Sequence, residues 1–195
     1  MARRLLVVGR DRLGLALAQR VSHLPDLVVC ADTSADWRRI LLLLRKRRVT
    51  LAWLAQMAWA EAQRPKSSDL RITALRTNRE LLAWAERGVD RLYLFRAGLI
   101  INRTVIETFA DVLNVHCATI PDYGGVAAIP RALRDGAYNQ NATLHRVTER
   151  IDDGEILKTR AYVLDPRATY RRNEDAAYEA GMKLLIDYLE AGNPE

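Results

Sequence analysis

The sequence predicts an α/β fold: a Rossmann-like, doubly wound and mainly parallel sheet with helices on both faces. Short apolar runs suited to buried strands alternate along the chain with longer segments of helical period, as successive β-α-β units require. The opening run Leu5–Val8 stops at Gly9 and gives way to a helical pattern, which is typical of a first strand-to-helix turn. Two consecutive strand patterns near the C-terminus have no helix between them, and they predict an antiparallel strand pair.

The predicted elements follow in chain order from these signals. The strands are apolar or alternating runs at 4–8, 27–31, 72–75, 91–95, 112–116, 144–150 and 155–163. The helices lie at 13–21, between 36 and 63 as a pair broken near Arg47, and at 77–87, 103–110, 129–135 and 175–190. The letters T-N-R-E from Thr77 fit a capping box, and Gly88 is a suitable helix end. The polar segment 65–69 is predicted to be a loop.

Composition favours one globular domain over residues 1–195. The chain is 49% apolar and 28% charged, and its 195 residues suffice for one hydrophobic core. Cys30 and Cys117 have no metal-ligand spacing and suggest no disulfide framework, so we expect a reducing cytoplasmic setting and no metal. The run Leu5–Val8 is too short for a signal peptide, and the chain has no apolar run of about eighteen residues to span a membrane.

Net charge is +6, and it is concentrated in a basic-apolar helical insert at about residues 36–64. Six cations of this insert lie close together: Arg38, Arg39, Arg45, Lys46, Arg47 and Arg48. We interpret them as a solvated helix face, with contact to an anionic lipid or substrate as the alternative. The apolar part includes Trp53 and Trp59. It predicts a core or homodimer interface over residues 40–60 rather than a membrane anchor.

Polar residues suited to chemistry are concentrated in L-N-V-H-C-A-T-I-P-D-Y-G-G, residues 113–125. Asn114 and His116 are two apart on a predicted strand, so their side chains point to the same side. A loop with Pro121 and a glycine pair follows, and it lets backbone approach a ligand closely. Asp152 comes later in I-D-D-G-E-I-L. An amide, an imidazole and a carboxylate can together stabilise an oxyanion and move a proton.

Other readings of the motifs are weaker. Gly9 and Gly14 lack the G-x-G-x-x-G spacing of a dinucleotide loop, so a plain strand-to-helix turn is the better interpretation. Cys117 beside His116 suggests a thiol nucleophile, but adjacent strand residues point to opposite faces. His145 is interpreted as structural or supporting.

The two motifs resemble those of the N10-formyltetrahydrofolate-dependent formyltransferases, which include glycinamide ribonucleotide, methionyl-tRNA and sugar-nucleotide N-formyltransferases. The family pattern reads N-x-H-x-S-L-L-P-x-Y-x-G, then D-x-G and an apolar pair. The matching residues are Asn114, His116, Pro121, Tyr123, Gly125, Asp152, Gly154, Ile156 and Leu157. The likeness covers about residues 70–192. Ala118 replaces the usual Ser and Cys117 is unusual, which affects substrate identity more than reaction type.

This resemblance implies the formyltransferase fold, N10-formyltetrahydrofolate as formyl donor and no metal. It implies catalytic roles for Asn114 and His116 as oxyanion donors and for Asp152 as the group that orients His116 and accepts a proton through water. The residues implied to bind the folate are Arg96, Ala97, Gly98, Leu99, Ile100 and Ile151, with Arg96 a candidate partner of the folate carboxylates. The residues implied to admit the amine are Tyr123, Gly124 and Gly125.

The expected acceptor is a small-molecule amine, first of all an amino-sugar nucleotide. An amino acid, glycinamide ribonucleotide or a siderophore-type amine is the alternative, and a formyltetrahydrofolate hydrolase would use the same site with water. No second domain is recognised, so a whole tRNA or other nucleic acid is not the expected partner. From other classes, a non-catalytic Rossmann-like binding protein is opposed by the intact triad, and a nicotinamide-dependent reductase by the poor glycine pattern.

Overall fold

A computed structural model of the protein describes residues 3–35, 37–65 and 72–192. Most of the predicted loop 65–69, and Asp36 at the start of the predicted insert, lie outside these residues. The strands are β1 (Arg3–Gly9), β2 (Leu27–Asp32), β3 (Thr73–Leu75), β4 (Val89–Phe95), β5 (Asp111–His116), β6 (Asn139–Arg146) and β7 (Ile156–Val163). The helices are α1 (Arg12–Arg20), α2 (Trp37–Arg45), α3 (Leu51–Gln63), α4 (Asn78–Ala85), α5 (Arg103–Thr108), α6 (Ala128–Arg134) and α7 (Tyr170–Glu190).

The described strands form one sheet in the order β3-β2-β1-β4-β5-β6-β7. The first five strands of this order pair in parallel, and β6 and β7 add an antiparallel edge. The order reverses between β1 and β4, which places a crevice at the carboxyl ends of the central strands. The predicted doubly wound fold with an antiparallel C-terminal strand pair is therefore confirmed.

The side chains of alternate residues in the central strands pack into two hydrophobic cores, one on each face of the sheet. Leu6 and Val8 pack in the core that contains α1, α6 and α7, whereas Leu5 and Val7 pack in the core that contains α4 and α5. Residues Leu5–Val8 of β1 are fully buried on both sides of the sheet, which explains why this part of the strand is an unbroken apolar run.

Two elements, β6 and α7, each begin five residues earlier than predicted. Strand β6 begins at Asn139 instead of 144 and ends at Arg146 instead of 150, and its early polar residues bond to the loop after β5. Gln140 Oε1 accepts a hydrogen bond of 3.1 Å from the Thr119 amide, so a polar side chain is buried with its partner. Helix α7 begins at Tyr170 instead of 175, because Thr169 caps its first turn.

The basic-apolar insert forms two helices, as predicted, and the chain reverses between them. Arg47 has a φ of 52°, and Thr50 caps α3 by accepting from the Trp53 amide. Trp53 Nε1 donates to the Tyr170 hydroxyl at 3.2 Å, and Arg64 Nη2 donates to the buried Glu174 at 2.7 Å. These contacts hold α3 against α7. No residue of α2 is buried, so its apolar residues do not belong to the core.

Among the described residues, no helix is both long and apolar enough to cross a membrane.

Candidate active site

Asn114 and His145 meet because their strands are neighbours in register. Asn114 on β5 is paired directly with His145 on the antiparallel strand β6. Side chains at such opposed positions lie on the same face of the sheet. Nδ2 of Asn114 lies 3.1 Å from Nε2 of His145, whose Nδ1 lies 2.9 Å from the Arg146 carbonyl oxygen. Because that carbonyl only accepts, Nδ1 carries the proton, and in a neutral ring Nε2 accepts from Asn114.

Asp152 reaches this face from the loop between β6 and β7. Its backbone has a φ of 50°, in the left-handed region, and its side chain turns inward between the two strands' histidines. The Gly125 amide donates to Asp152 Oδ2 at 2.7 Å. At Gly124 a Cβ would stand 3.2 Å from the Cβ of Asp152, so a glycine lets the two loops close on each other. The glycine pair thus holds Asp152 in place.

Gly154, the third residue of the D-x-G motif, must be a glycine for a steric reason. A Cβ on Gly154 would stand 1.8 Å from the Arg146 carbonyl oxygen, a distance that no side chain could accept without backbone movement. Gly154 therefore lets the Asp152 loop pack directly on the end of β6.

His116 lies between two oxygen acceptors. Its Nδ1 is 3.2 Å from Asp152 Oδ2, and its Nε2 is 2.8 Å from the Tyr123 carbonyl oxygen. A neutral imidazole has one N–H and can satisfy only one of them, so both oxygens favour the protonated ring. Burial acts against this and is the larger effect, so the pKa of His116 lies below its usual range.

Asp152 is held as a carboxylate. Burial alone would raise its pKa, but its contacts with His145, His116 and the Gly125 amide outweigh burial and lower its pKa to about 2. Its other oxygen, Oδ1, accepts from Asn114 Nδ2 at 3.3 Å. Both N–H groups of the Asn114 amide thus point at His145 and Asp152. Donation to a formyl oxygen requires Asn114 to exchange the longer of these two bonds.

A family model described as formyl transferase matches residues 48–189 of this chain, which is more than half of it and includes all these site residues. The chain belongs to the formyl transferase family.

Two curated relatives of this chain carry the name methionyl-tRNA formyltransferase. The protein from Heliobacterium modesticaldum is 28% identical over 141 residues, covering 66% of this chain and 45% of its own length. The protein from Pseudothermotoga lettingae is 37% identical over 82 residues, covering 42% of this chain and 26% of its own length. The chain therefore spans less than half the length of these two curated relatives.

Solved structures of three other proteins share the fold of this chain. Glycinamide ribonucleotide transformylase 1 from Geobacillus kaustophilus has a TM-score of 0.67 and 17% identity, with 100% of both chains covered. A sugar N-formyltransferase from Shewanella sp has a TM-score of 0.65 and 16% identity, covering 96% of this chain and 68% of its own. A formyltetrahydrofolate deformylase from Pseudomonas syringae has a TM-score of 0.68 and 18% identity, covering 98% and 61%.

The segment predicted to bind folate follows β4 and is fixed by Asp32, a residue that the sequence did not single out. Oδ2 of Asp32, at the end of β2, accepts from the amides of Gly98 and Leu99 at 2.5 and 2.9 Å. The carbonyl of Ile100 accepts from Asn78 at 2.9 Å. Ala97 is half-buried between Arg96 and this turn. An aspartate that ends a parallel strand is the signal that could have pointed to Asp32.

Arg96 does not present a free cation at this site. Its side chain is 9% exposed, donates to Asp11 Oδ2 at 2.7 Å, and stacks 4.0 Å from the ring centroid of Tyr178. Its second contact is Glu174, at 3.4 Å. The suggested contact of its guanidinium with folate carboxylates is therefore replaced by an interior ion pair. What stays a prediction for Arg96 is a backbone role.

The two apolar residues predicted to contact folate, Ile100 and Ile151, are exposed. Ile100 is 59% and Ile151 is 66% exposed, and Ile151 directly precedes Asp152. Exposed aliphatic side chains next to a polar site suit a flat heteroaromatic ligand. The role of Ile100 and Ile151 in binding the pterin stays a prediction.

The loop predicted to admit the amine is supported by Arg131 on α6, which the sequence reading did not single out. Arg131 Nη2 donates to the Gly124 carbonyl at 2.5 Å, and its guanidinium lies 5.8 Å from the Tyr123 ring centroid. The same loop supplies the Tyr123 carbonyl to His116 and the Gly125 amide to Asp152. A substrate that moved this loop would therefore also move the catalytic candidates.

The geometry opposes the two rival readings. Cys117 is 6% exposed, and burial raises the pKa of its thiol well above the usual range. Its sulfur faces α7, where a Cβ on Gly181 would stand 2.6 Å from it. At the N-terminal turn, a Cβ on Gly14 would stand 2.0 Å from the Gly9 carbonyl oxygen, so this glycine serves tight strand-to-helix packing. Neither feature forms a separate active site.

Proposed function

We propose that this protein transfers the formyl group of N10-formyltetrahydrofolate to a primary amine. The observation that carries the proposal is the convergence of His116, Asp152 and Asn114 at one end of β5, with Asp152 held as a carboxylate 3.2 Å from the imidazole. This arrangement suits a reaction in which one group must donate to a carbonyl oxygen while another handles the proton of an amine.

The roles divide by chemistry. His116 presents its Nε2–H to the formyl oxygen once its contact with the Tyr123 carbonyl is exchanged, and Asn114 adds a second donor once its bond to Asp152 is exchanged. Asp152 keeps the imidazole oriented and takes up the proton lost by the amine, through water. When bound, the folate supplies the formyl carbon and the leaving nitrogen. Backbone groups of residues 96–100 and the side chains of Ile100 and Ile151 would hold the pterin.

For the acceptor, we propose an amino-sugar nucleotide. The net charge of +6 favours an anionic acceptor, and a nucleotide diphosphate meets that requirement. A sugar N-formyltransferase is among the proteins that share the fold. A second candidate, methionyl-tRNA, is supported by the two curated relatives, which are methionyl-tRNA formyltransferases. The proposed location is the cytoplasm, which suits two free and buried cysteines, Cys30 and Cys117.

The test is to mix the protein with N10-formyltetrahydrofolate and to follow tetrahydrofolate release with a panel of amino-sugar nucleotides, amino acids, glycinamide ribonucleotide and methionyl-tRNA. Amine-dependent release that falls by about 10²- to 10⁴-fold in His116→Ala supports the transferase. The matched control is His23→Ala, since His23 is exposed and lies in the turn that follows α1. Release that needs no amine supports a hydrolase, and no release with any acceptor contradicts the proposal.

A further inference from the structure

The basic-apolar insert carries a stretch without any carboxylate. From Trp37 to Ala60 the sequence has no Asp or Glu, while six of its residues are basic. The first acid after this stretch, Glu61, is already engaged with Arg12 and Arg64. The exposed side of α2 and the turn after it therefore form a region of one sign of charge.

Apolar side chains on the same stretch are exposed. In α2, Trp37, Ile40, Leu41 and Leu44 have the i, i+3, i+4, i+7 spacing of one helical stripe, which in a globular protein usually faces the core. Here the first three are exposed, with Trp37 at 65% and Leu41 at 47%. Helix α3 adds Leu51 at 73% and Trp59 at 68%.

This exposure does not come from a detached segment. Arg39 donates to the Gly98 carbonyl, which ties α2 to the turn after β4. Trp53 and Arg64 bond to Tyr170 and Glu174 on α7. The insert is thus fixed to the domain at both helices while its outer side stays uncovered.

We propose that the outer side of the insert binds the surface of an anionic phospholipid bilayer. Aliphatic and Trp side chains flanked by Arg and Lys are the chemistry of a helix that lies in a membrane interface, where apolar groups enter the acyl boundary and cations meet lipid phosphates. The helices lie on the surface, since no described helix is long and apolar enough to cross it.

Charge and apolar content favour the bilayer over the two other occupants. A two-fold homodimer through residues 40–60 would bring together two copies of the four cations Arg45, Lys46, Arg47 and Arg48, and like charges in one interface are unfavourable. A nucleic acid would neutralise the cations through its phosphates but would leave the Ile40–Leu41 stripe without an apolar partner. The homodimer predicted from sequence stays a prediction that the same variants test.

The experiment measures co-sedimentation of the full chain with vesicles of phosphatidylglycerol and phosphatidylcholine, and with vesicles of phosphatidylcholine alone. We expect binding to the anionic vesicles, weakened by salt, with a blue shift of tryptophan fluorescence. Leu41→Ser and the pair Arg45→Glu with Arg48→Glu should each lower binding by about tenfold or more. Binding is read without any assay of formyl transfer, so the result is independent of the proposed function.

Matched controls lie elsewhere on the surface. Val163→Ser removes an apolar side chain that is 66% exposed, and Arg103→Glu reverses a charge that is 74% exposed, and neither should change vesicle binding. Circular dichroism of each variant confirms that it folds. The proposal would be overturned if the protein bound neutral and anionic vesicles equally, bound neither kind of vesicle, or if the variants of the insert kept wild-type binding to anionic vesicles. A dimer that sedimentation velocity detects for the wild type and not for Leu41→Ser would also overturn it. Binding of RNA that Leu41→Ser leaves intact, without binding to vesicles, would do the same.

Discussion

Asn114 and His145 stand opposite each other on two antiparallel strands, with Nδ2 of Asn114 3.1 Å from Nε2 of His145. His145 is 2% exposed, and its other ring nitrogen is fixed by the Arg146 carbonyl. The orientation of the Asn114 amide is therefore set by His145, which is itself buried. His145 is a positioning residue in this arrangement, and the catalytic candidates depend on it.

Replacing His145 by Phe should lower kcat for formyl transfer by about tenfold to hundredfold, because the Asn114 amide loses the acceptor that orients it. His145→Gln should restore part of the rate, since a side-chain carbonyl can accept the same hydrogen bond. Steady-state kinetics should show the loss in kcat with little change in KM for the folate. An equal loss in both variants, tracking thermal stability alone, would argue for a purely structural role.

Asp152→Asn should lower kcat by about hundredfold or more, because an amide cannot take up the proton and no longer places a carboxylate oxygen against Nδ1 of His116. Asp153→Asn is the matched control, since Asp153 is adjacent in sequence, half-exposed and paired only loosely with Arg150 at 3.5 Å. It should keep activity near the wild-type level. The comparison is made by single-turnover formyl transfer, and similar losses in the two variants would contradict the assignment of Asp152.

Much of the fold was predictable because the central strands have short apolar runs that are recognisable in the sequence. The part of a strand that is buried on both faces of a sheet must be apolar. In β1 this part is Leu5–Val8, which is an unbroken apolar run. The start of β6 was missed because Gln140 is polar yet buried, and its partner at Thr119 comes from a distant loop. Tertiary partners of this kind leave no local sequence signal.

In the candidate site, too, local spacing was readable from the sequence and contacts between distant residues were not. The spacing of Asn114 and His116 on a strand predicts that their side chains share a face, and the family resemblance added Asp152. The contribution of His145 depends on the register between β5 and β6, and that of Asp32 on the turn at Gly98. The family resemblance implied that Arg96 meets the folate carboxylates, whereas Glu174 and Asp11 hold its guanidinium in the interior. Such long-range ion pairs cannot be read from one sequence.

Gly14→Ala should destabilise the protein by more than about 2 kcal/mol, because the added Cβ would stand 2.0 Å from the Gly9 carbonyl oxygen at the turn that joins β1 to α1. Gly98→Ala is the control for stability. Its Cβ would meet Asp32 at 3.5 Å, an ordinary contact. Urea unfolding followed by circular dichroism measures both variants. A Gly14→Ala protein as stable as the wild type would contradict the packing described for this turn.

The carboxylate of Asp152 should make a pH-dependent contribution to stability. Its pKa is about 2 in the folded protein against 3.8 for an unperturbed group, so folding favours the ionised form. This contribution is fully present above the unfolded pKa, decreases as pH falls below it, and is lost once pH passes about 2. A shift of this size corresponds to roughly 2 kcal/mol.

The measurement is the difference in unfolding free energy between the wild type and Asp152→Asn at a series of pH values. Asparagine does not titrate, so the two proteins share every other ionisable group and their difference isolates Asp152. We expect the wild-type advantage to be constant above about pH 5 and to shrink by roughly 2 kcal/mol toward about pH 2. A difference that stays constant over this range would mean that His116, His145 and the Gly125 amide do not stabilise the carboxylate in the folded protein.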